Sequence, residues 1–79
     1  MKIFIQIVDT RTGIHQSGMI NEPAGKGFEI PNALGHFGVS QLNVDWNTEF
    51  VYDDVVNSPK AMTGIVKDTS KIVSIITID

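Results

Sequence analysis

The chain is rich in side chains that branch at the β-carbon, and this feature constrains its fold more than any other. It contains 11 Ile, 8 Val and 6 Thr against 2 Leu and 3 Ala. Branched side chains lose rotamer freedom in a helix but pack well on a pleated sheet. The composition therefore predicts a mainly β or small α+β fold: an antiparallel sandwich or small barrel of five to six short strands.

The N-terminal segment has the alternation of a half-buried strand. Within residues 2–8 one face is entirely isoleucine, and it carries Ile3, Ile5 and Ile7. Residues 9–13 follow with turn chemistry, and Gly13 suits the positive φ of a bulged hairpin. The pattern predicts an antiparallel hairpin whose second strand spans residues 14–20.

The C-terminal part of the chain predicts further strands. Residues 48–52 and 61–66 have strand-forming composition, and turn residues occur at 57–59 and 67–71. The final run, residues 72–78, is apolar on both faces apart from one Ser and one Thr. Such a run is typical of a central strand covered on both sides, and we expect it beside the N-terminal strand.

Residues 31–42 carry conflicting signals. The preceding residues 28–30 are expected to be extended, because the residue before a proline avoids the helical region. Pro31 at a first helical position, followed by apolar residues at roughly helical spacing, favours a helix. Gly35 and Gly38 oppose it, since each interior glycine costs a helix about 1 kcal/mol. The sequence thus allows one short helix within 31–42, or strand and coil.

Length and composition limit the class of protein. A chain of 79 residues predicts a single compact domain, 1–79, that buries only about 60% of the surface of its unfolded form. The lack of cysteine excludes zinc ribbons, iron–sulfur clusters and thiol nucleophiles. Charged residues interrupt every apolar stretch well short of the roughly 20 residues that a membrane helix needs. We therefore expect a cytoplasmic protein with no membrane association, which gains stability by dimerising or by docking on a larger protein.

Several features only partly match known functional motifs. Residues 24–27, Ala-Gly-Lys-Gly, lack the first glycine and the hydroxyl of a phosphate loop. Residues 45–49 carry oxygen donors at alternate positions, as at the start of a calcium loop. Phe50 and Val56, however, stand where that loop requires Gly and Glu. His15 and His36 have no metal-binding spacing and are expected at the surface. Because no catalytic signature is present, we expect no enzymatic activity, no cofactor and no metal.

The acidic segment 45–54 is the strongest candidate for a partner-binding site. It holds four carboxylates, three of the six aromatic residues and no basic residue. Its carboxylates would repel a phosphate backbone, so direct nucleic-acid binding is not expected. Aromatic side chains provide contact area, and acidic neighbours steer encounter with a basic protein surface. The candidate binding residues are Asp45, Trp46, Glu49, Tyr52, Asp53 and Asp54.

The aromatic residues of the acidic segment also have a structural interpretation. Trp46, Phe50 and Tyr52 share the parity of one strand face, while Asp45 and Glu49 share the other. This arrangement is typical of core residues opposite a solvated face. The sequence leaves both interpretations of Trp46 open.

Together these observations predict a non-catalytic protein-binding module, such as a small acidic adaptor or an inhibitor that docks on a basic-surfaced protein. One form of this hypothesis is a phage or mobile-element protein that blocks a nucleic-acid-binding host protein by presenting carboxylates in place of phosphates. The alternative is a structural subunit that self-assembles through strand edges, with residues 72–78 as the exposed edge and a homodimer as the simplest product.

Overall fold

The computed structural model describes residues 1–23, 28–47 and 61–78. Five strands and one short α-helix lie within them. The elements in chain order are β1 (Lys2–Asp9), β2 (His15–Asn21), α1 (Glu29–Gly35), a 3₁₀ turn (Gln41–Asn43), β3 (Val44–Trp46), β4 (Ala61–Val66) and β5 (Lys71–Ile78). The mainly β or small α+β class predicted from the branched residues is confirmed.

The strands form one antiparallel sheet in the order β2-β1-β5-β4-β3. β5 is the middle strand, and β2 and β3 are the two edges. Residues of α1 join the core on one face of this sheet. The described strands therefore make a single sheet backed by a helix, where the sequence predicted an antiparallel sandwich or small barrel.

The N-terminal hairpin is confirmed. Its second strand begins at His15, one residue later than predicted. The backbone N–H of Asp9 donates to the carbonyl of Ile14 at 2.9 Å, which closes the turn. Gly13 adopts a φ of 76°, a left-handed conformation that a residue with a Cβ rarely takes, so the glycine allows the chain to reverse here.

The C-terminal hairpin is confirmed as well. β4 matches the predicted strand, and β5 pairs with β1 as expected. Asp68 takes a φ of 61° in the turn, and the hydroxyl of Thr69 donates to the carbonyl of Val66 at 2.7 Å. β5 is hydrogen bonded on both sides. The expectation that residues 72–78 form an exposed edge is therefore wrong, because β1 and β4 occupy both edges of β5.

β3 was not predicted from the sequence. It is only three residues long and pairs with β4, with Asp45 opposite Ile65. The predicted strand at 48–52 and the predicted turn at 57–59 lie outside the described residues.

The helix α1 begins earlier than the sequence predicts. An extended conformation for residues 28–30 is wrong, because α1 already begins at Glu29. Pro31 is the third helical residue rather than the first. Its missing N–H costs nothing there, since the first N–H groups of a helix have no intrahelical acceptor. Gly35 is the last helical residue, and Gly38 follows with a φ of 72° that reverses the chain.

The core lies between α1 and one face of the sheet. Ile3, Ile5 and Leu34 are fully buried there, and Val44 brings β3 into the same cluster. The complete set of buried apolar residues is Ile3, Ile5, Ile7, Ile30, Ala33, Leu34, Val44, Met62, Val73 and Ile75. This cluster uses only one side of the sheet, so the other side has no core of its own among the described residues.

Candidate binding surface

The face of the sheet opposite α1 is the principal candidate for a functional surface. Its side chains alternate along each strand with those of the core, because successive residues of a strand point to opposite faces. We call this surface the open face. The strand register arranges its side chains in rows that run across the sheet.

Two of these rows are apolar and the row between them is polar. The first apolar row consists of Met19, Phe4, Ile76 and Ala61. The polar row consists of Ser17, Gln6, Ser74 and Thr63. The second apolar row consists of Val8, Ile72 and Ile65, and it ends in His15 on β2 and Asp45 on β3. A shorter row beyond the first apolar row closes the end of the sheet with Asn21, Lys2 and Ile78.

The apolar rows are exposed to solvent. Met19 retains 50% of its accessible surface, Ile76 47%, Ile65 45% and Ile72 38%. Isolated exposed apolar residues are normal, but contiguous ones mark binding surfaces. The prediction that β5 is covered on both sides is therefore wrong for the described residues, since only its core face is covered.

The two apolar rows and the polar row carry little charge. Among the described residues, these three rows contain one carboxylate, Asp45, and one imidazole, His15. The Asp45 Oδ1 atom lies 3.9 Å from the Nζ atom of Lys67, with both side chains well exposed. An exposed pair at this distance contributes little to stability. The Asp45 carboxylate thus remains available at one end of the second apolar row.

Asp45 and Trp46 lie on opposite faces of β3, as their parity predicted. Asp45 is exposed on the open face, whereas Trp46 is half-buried against the core. A Cβ built on Gly64 would lie 3.0 Å from Cε3 of Trp46, which shows how closely the indole approaches β4. The structure thus gives Trp46 a packing role on the side of α1. The other candidate binding residues lie outside the described residues: Glu49, Tyr52, Asp53 and Asp54.

A cavity of about 230 Å³ lies on the helix side of the sheet, beside the β1–β2 turn. It is lined by Ile7, Asp9, Thr12, Ile14, Gln16, Phe37, Val39 and Lys71. Small-molecule sites generally exceed about 300 Å³ and place several polar groups at one point. Its polar lining consists of Thr12, Gln16, Lys71 and Asp9, and the Asp9 carboxylate is already engaged in hydrogen bonds.

Asp9 joins the two turns at this end of the sheet. One of its carboxylate oxygens accepts from the backbone N–H of Arg11 at 3.0 Å and from the hydroxyl of Ser70 at 2.9 Å. The hydroxyl of Thr10 in turn donates to the carbonyl of Ser70 at 2.7 Å. The N–H of Arg11 and then the Ser70 hydroxyl lower the pKa of Asp9 below its ordinary value of 3.8, because both stabilise the ionised form. The role of Asp9 here is structural.

The histidines and the remaining carboxylates form no metal site in the part of the chain that the structure describes, where no three metal-ligating side chains come together. His15 is exposed on β2, as expected for a surface position. His36 is exposed at the end of α1, and its Nε2 atom lies 4.0 Å from Oε1 of Glu22. Residues 24–27, which partly match a phosphate loop, lie outside the described residues. None of the described helices has the length and apolar character needed to cross a membrane.

Sequence reasoning did not identify the open face, although the signal was present. Phe4, Val8, Ile72 and Ile76 are apolar residues at positions that alternate with the core residues of β1 and β5. The sequence predicts a strand covered on both sides for residues 72–78 and a half-buried strand for residues 2–8. The same pattern is equally that of a sheet that keeps an apolar surface for a partner. Comparison with known proteins found no matching family model, no matching curated protein and no matching solved structure.

Proposed function

We propose that this protein is a non-catalytic protein-binding module and that it binds through the open face. The observation that carries the proposal is the pair of exposed apolar rows, which flank a polar row on an otherwise well-packed sheet. A one-sided antiparallel sheet in contact with water normally alternates apolar residues inside with polar residues outside. Four exposed large apolar side chains in these two rows depart from that rule and favour contact with another protein.

The chemistry of the open face favours protein over other ligands. A nucleic-acid surface needs clustered Lys and Arg to neutralise phosphates. The two apolar rows and the polar row instead present aliphatic side chains, one aromatic ring, hydroxyls and an amide, which is the mixture of a protein interface.

The proposal retains the predicted preference for a basic partner as its finer part. Asp45 lies at the edge of the open face, and the chain has a formal net charge of -3. Negative charge beside an apolar surface steers the approach of a positively charged protein without itself supplying most of the affinity. An inhibitor that covers the functional surface of a basic protein is one form of this function.

Site-specific photo-cross-linking tests the proposal. A photoreactive amino acid replaces Ser74, at the centre of the polar row, in the protein expressed in its own host cell. The matched control carries the same amino acid at Leu42, which is 83% exposed in the 3₁₀ turn and lies off the open face. Illumination is followed by denaturing gel electrophoresis and mass spectrometry of the adducts.

The proposal predicts a discrete protein adduct from position 74 that is absent from position 42. A cross-link to a different protein and a cross-link to another copy of this chain both count as such an adduct. Equal, diffuse labelling from both positions, or no adduct from position 74, would contradict a binding role for the open face.

A further inference from the structure

We propose that the open face binds a second copy of this chain, so that two sheets stack face to face about a two-fold axis that runs along β5. The inference rests on the proposed function and names a second copy as the partner of the same surface, in place of the basic partner considered above. It replaces the edge-to-edge assembly considered from the sequence with a face-to-face one. Symmetric dimers need a surface that is complementary to itself, and the rows of the open face meet that requirement.

The position of β5 makes the self-complementarity possible. β5 has two strands on each side in the order β2-β1-β5-β4-β3. A half-turn about β5 therefore sets β1 over β4 of the second copy and β2 over β3. Because the axis runs along the strands, each row keeps its height and meets the same row of the second copy.

The apolar rows then meet apolar rows. Ile72 and Ile76 lie on the axis and meet their own counterparts, while Phe4 lies over Ala61 of the second copy, a large side chain against a small one. Val8 lies over Ile65 of the second copy, so that two aliphatic side chains meet. Large and small side chains that alternate across an interface pack as they do in a protein core.

The polar row is also matched. Ser74 meets its own counterpart on the axis, and Gln6 lies over Thr63 of the second copy. Hydroxyl and amide groups both donate and accept hydrogen bonds, so Gln6, Ser74 and Thr63 each face a group that can pair with them. Burial of the row is then compatible with stability, because buried polar groups are costly only when they are left without partners.

Two different two-fold axes would stack apolar rows on apolar rows, one along β5 and one along the polar row. Charge favours the axis along β5. A half-turn about β5 places His15 of one copy over Asp45 of the other, and does so twice. An imidazole N–H that donates to a carboxylate is a favourable contact at the rim of an interface. A two-fold axis along the polar row would instead set His15 over Met19, which offers the imidazole no carboxylate.

The available area is sufficient. Five strands of three to eight residues, about 4.8 Å apart and with about 3.4 Å per residue, present a face of roughly 500 Å². Because the short β3 covers only part of β2, two such faces together bury slightly less than about 1,000 Å², which is above the size of most chance contacts and in the range of weak dimers. The sheets would pack about 10 Å apart, and the axis along β5 keeps the two copies of this strand parallel, within the roughly 30° range of aligned β-sandwich packing.

Cysteine cross-linking tests both the partner and the axis, since the natural chain has no cysteine. Ser74→Cys and Ser17→Cys place one thiol each on the same row of the same face. With the axis along β5, the two thiols introduced at position 74 face each other, whereas two thiols at position 17 lie about 19 Å apart, four strand spacings of about 4.8 Å. A short bis-maleimide is added to each purified variant, and the sedimentation mass of the unsubstituted protein is measured in parallel.

The proposal predicts that the unsubstituted protein sediments at twice 8.7 kDa and that Ser74→Cys cross-links at least about tenfold faster than Ser17→Cys. Equal rates would overturn the axis along β5, because an axis along the polar row brings both positions together. A mass of 8.7 kDa at every concentration up to about 1 mM would overturn the second copy as the partner. In that case a heterologous adduct from position 74 in cells would still support the proposed function, so the two failures are distinguishable.

Discussion

The hydroxyl of Ser70 donates a hydrogen bond of 2.9 Å to the carboxylate of Asp9, across 61 residues of sequence. The contact ties the β1–β2 turn to the β4–β5 turn at one end of the sheet. The same carboxylate accepts from the N–H of Arg11, so one side chain orders its own turn and the neighbouring one. These bonds favour the ionised carboxylate, which makes this end of the sheet sensitive to acid.

Acid should therefore destabilise the fold through Asp9. The pKa of Asp9 is lowered in the folded state, so its stabilisation is present above its ordinary value of 3.8 and is lost as the pH falls through the folded-state pKa below that value. We expect Asp9→Asn to melt at a lower temperature than the unsubstituted protein at neutral pH and to lose less on acidification. Thermal melts from about pH 6 to about pH 2 check this. Asp68→Asn, in the other turn, is the matched control and should keep the acid sensitivity.

Gly64→Ala should destabilise the sheet. A Cβ at this position would lie 2.5 Å from Cγ1 of Val44 and 2.8 Å from the carbonyl oxygen of Asp45. β3 must then move away from β4, at a cost of about 1–3 kcal/mol of unfolding free energy. Gly35→Ala is the control, because no atom lies within 4 Å of a Cβ there. Urea unfolding curves of the two variants should separate, and a Gly64→Ala variant as stable as the parent would contradict the close packing of β3.

Trp46→Ala should also destabilise the fold, because the indole packs on the core. We expect a loss of about 2–3 kcal/mol, less than for a fully buried aromatic residue. The control Leu42→Ala, at a side chain that is 83% exposed in the 3₁₀ turn and lies off the open face, should leave the melting temperature nearly unchanged. Both are read by thermal denaturation monitored by circular dichroism. A Trp46→Ala variant that melts at the same temperature as the control would contradict the packing of Trp46 on the core.

The exchange of His15 and Asp45 tests the charge pairing of the proposed dimer. His15→Asp places two carboxylates opposite each other at both ends of the second apolar row, which should raise the dimer dissociation constant at least about tenfold. Addition of Asp45→His restores an imidazole opposite a carboxylate and should recover most of the affinity. Sedimentation equilibrium measures both. A double variant that is as weak as the single one would contradict the pairing of β2 with β3 across the axis.

The sequence predicted best the elements whose local signals agree. In β1 the alternating residues Ile3, Ile5 and Ile7 correctly predict the buried face. Gly13 correctly predicts the turn, because the turn needs a residue with positive φ. The start of α1 was predicted two residues too late, because Pro31 prefers the first helical position and the residue before a proline avoids the helical conformation. The structure places the proline third, where the first turn still tolerates it.

The candidate surface was harder to predict because it depends on pairing between distant segments. The pattern of residues 72–78 is apolar on both faces, and only the sheet order shows that one of those faces has no cover among the described residues. β3 is only three residues long, too short to show a strand pattern in the sequence, and it forms through its pairing with β4. Four of the six candidate binding residues lie outside the described residues, so their part in binding stays a prediction.

The central claim is that the open face binds a second copy of the chain. The sedimentation masses of two variants, each with one isoleucine replaced by lysine, test it most directly. Ile76→Lys puts two ammonium groups against each other on the proposed axis, whereas Ile14→Lys makes the same change at a position that is 70% exposed and lines the cavity on the helix side. Both variants are first confirmed to be folded by circular dichroism and then measured by sedimentation velocity. We predict that Ile76→Lys sediments at 8.7 kDa while Ile14→Lys keeps twice that mass. A dimer that survives Ile76→Lys and dissociates with Ile14→Lys would place the binding surface on the helix side and contradict the account.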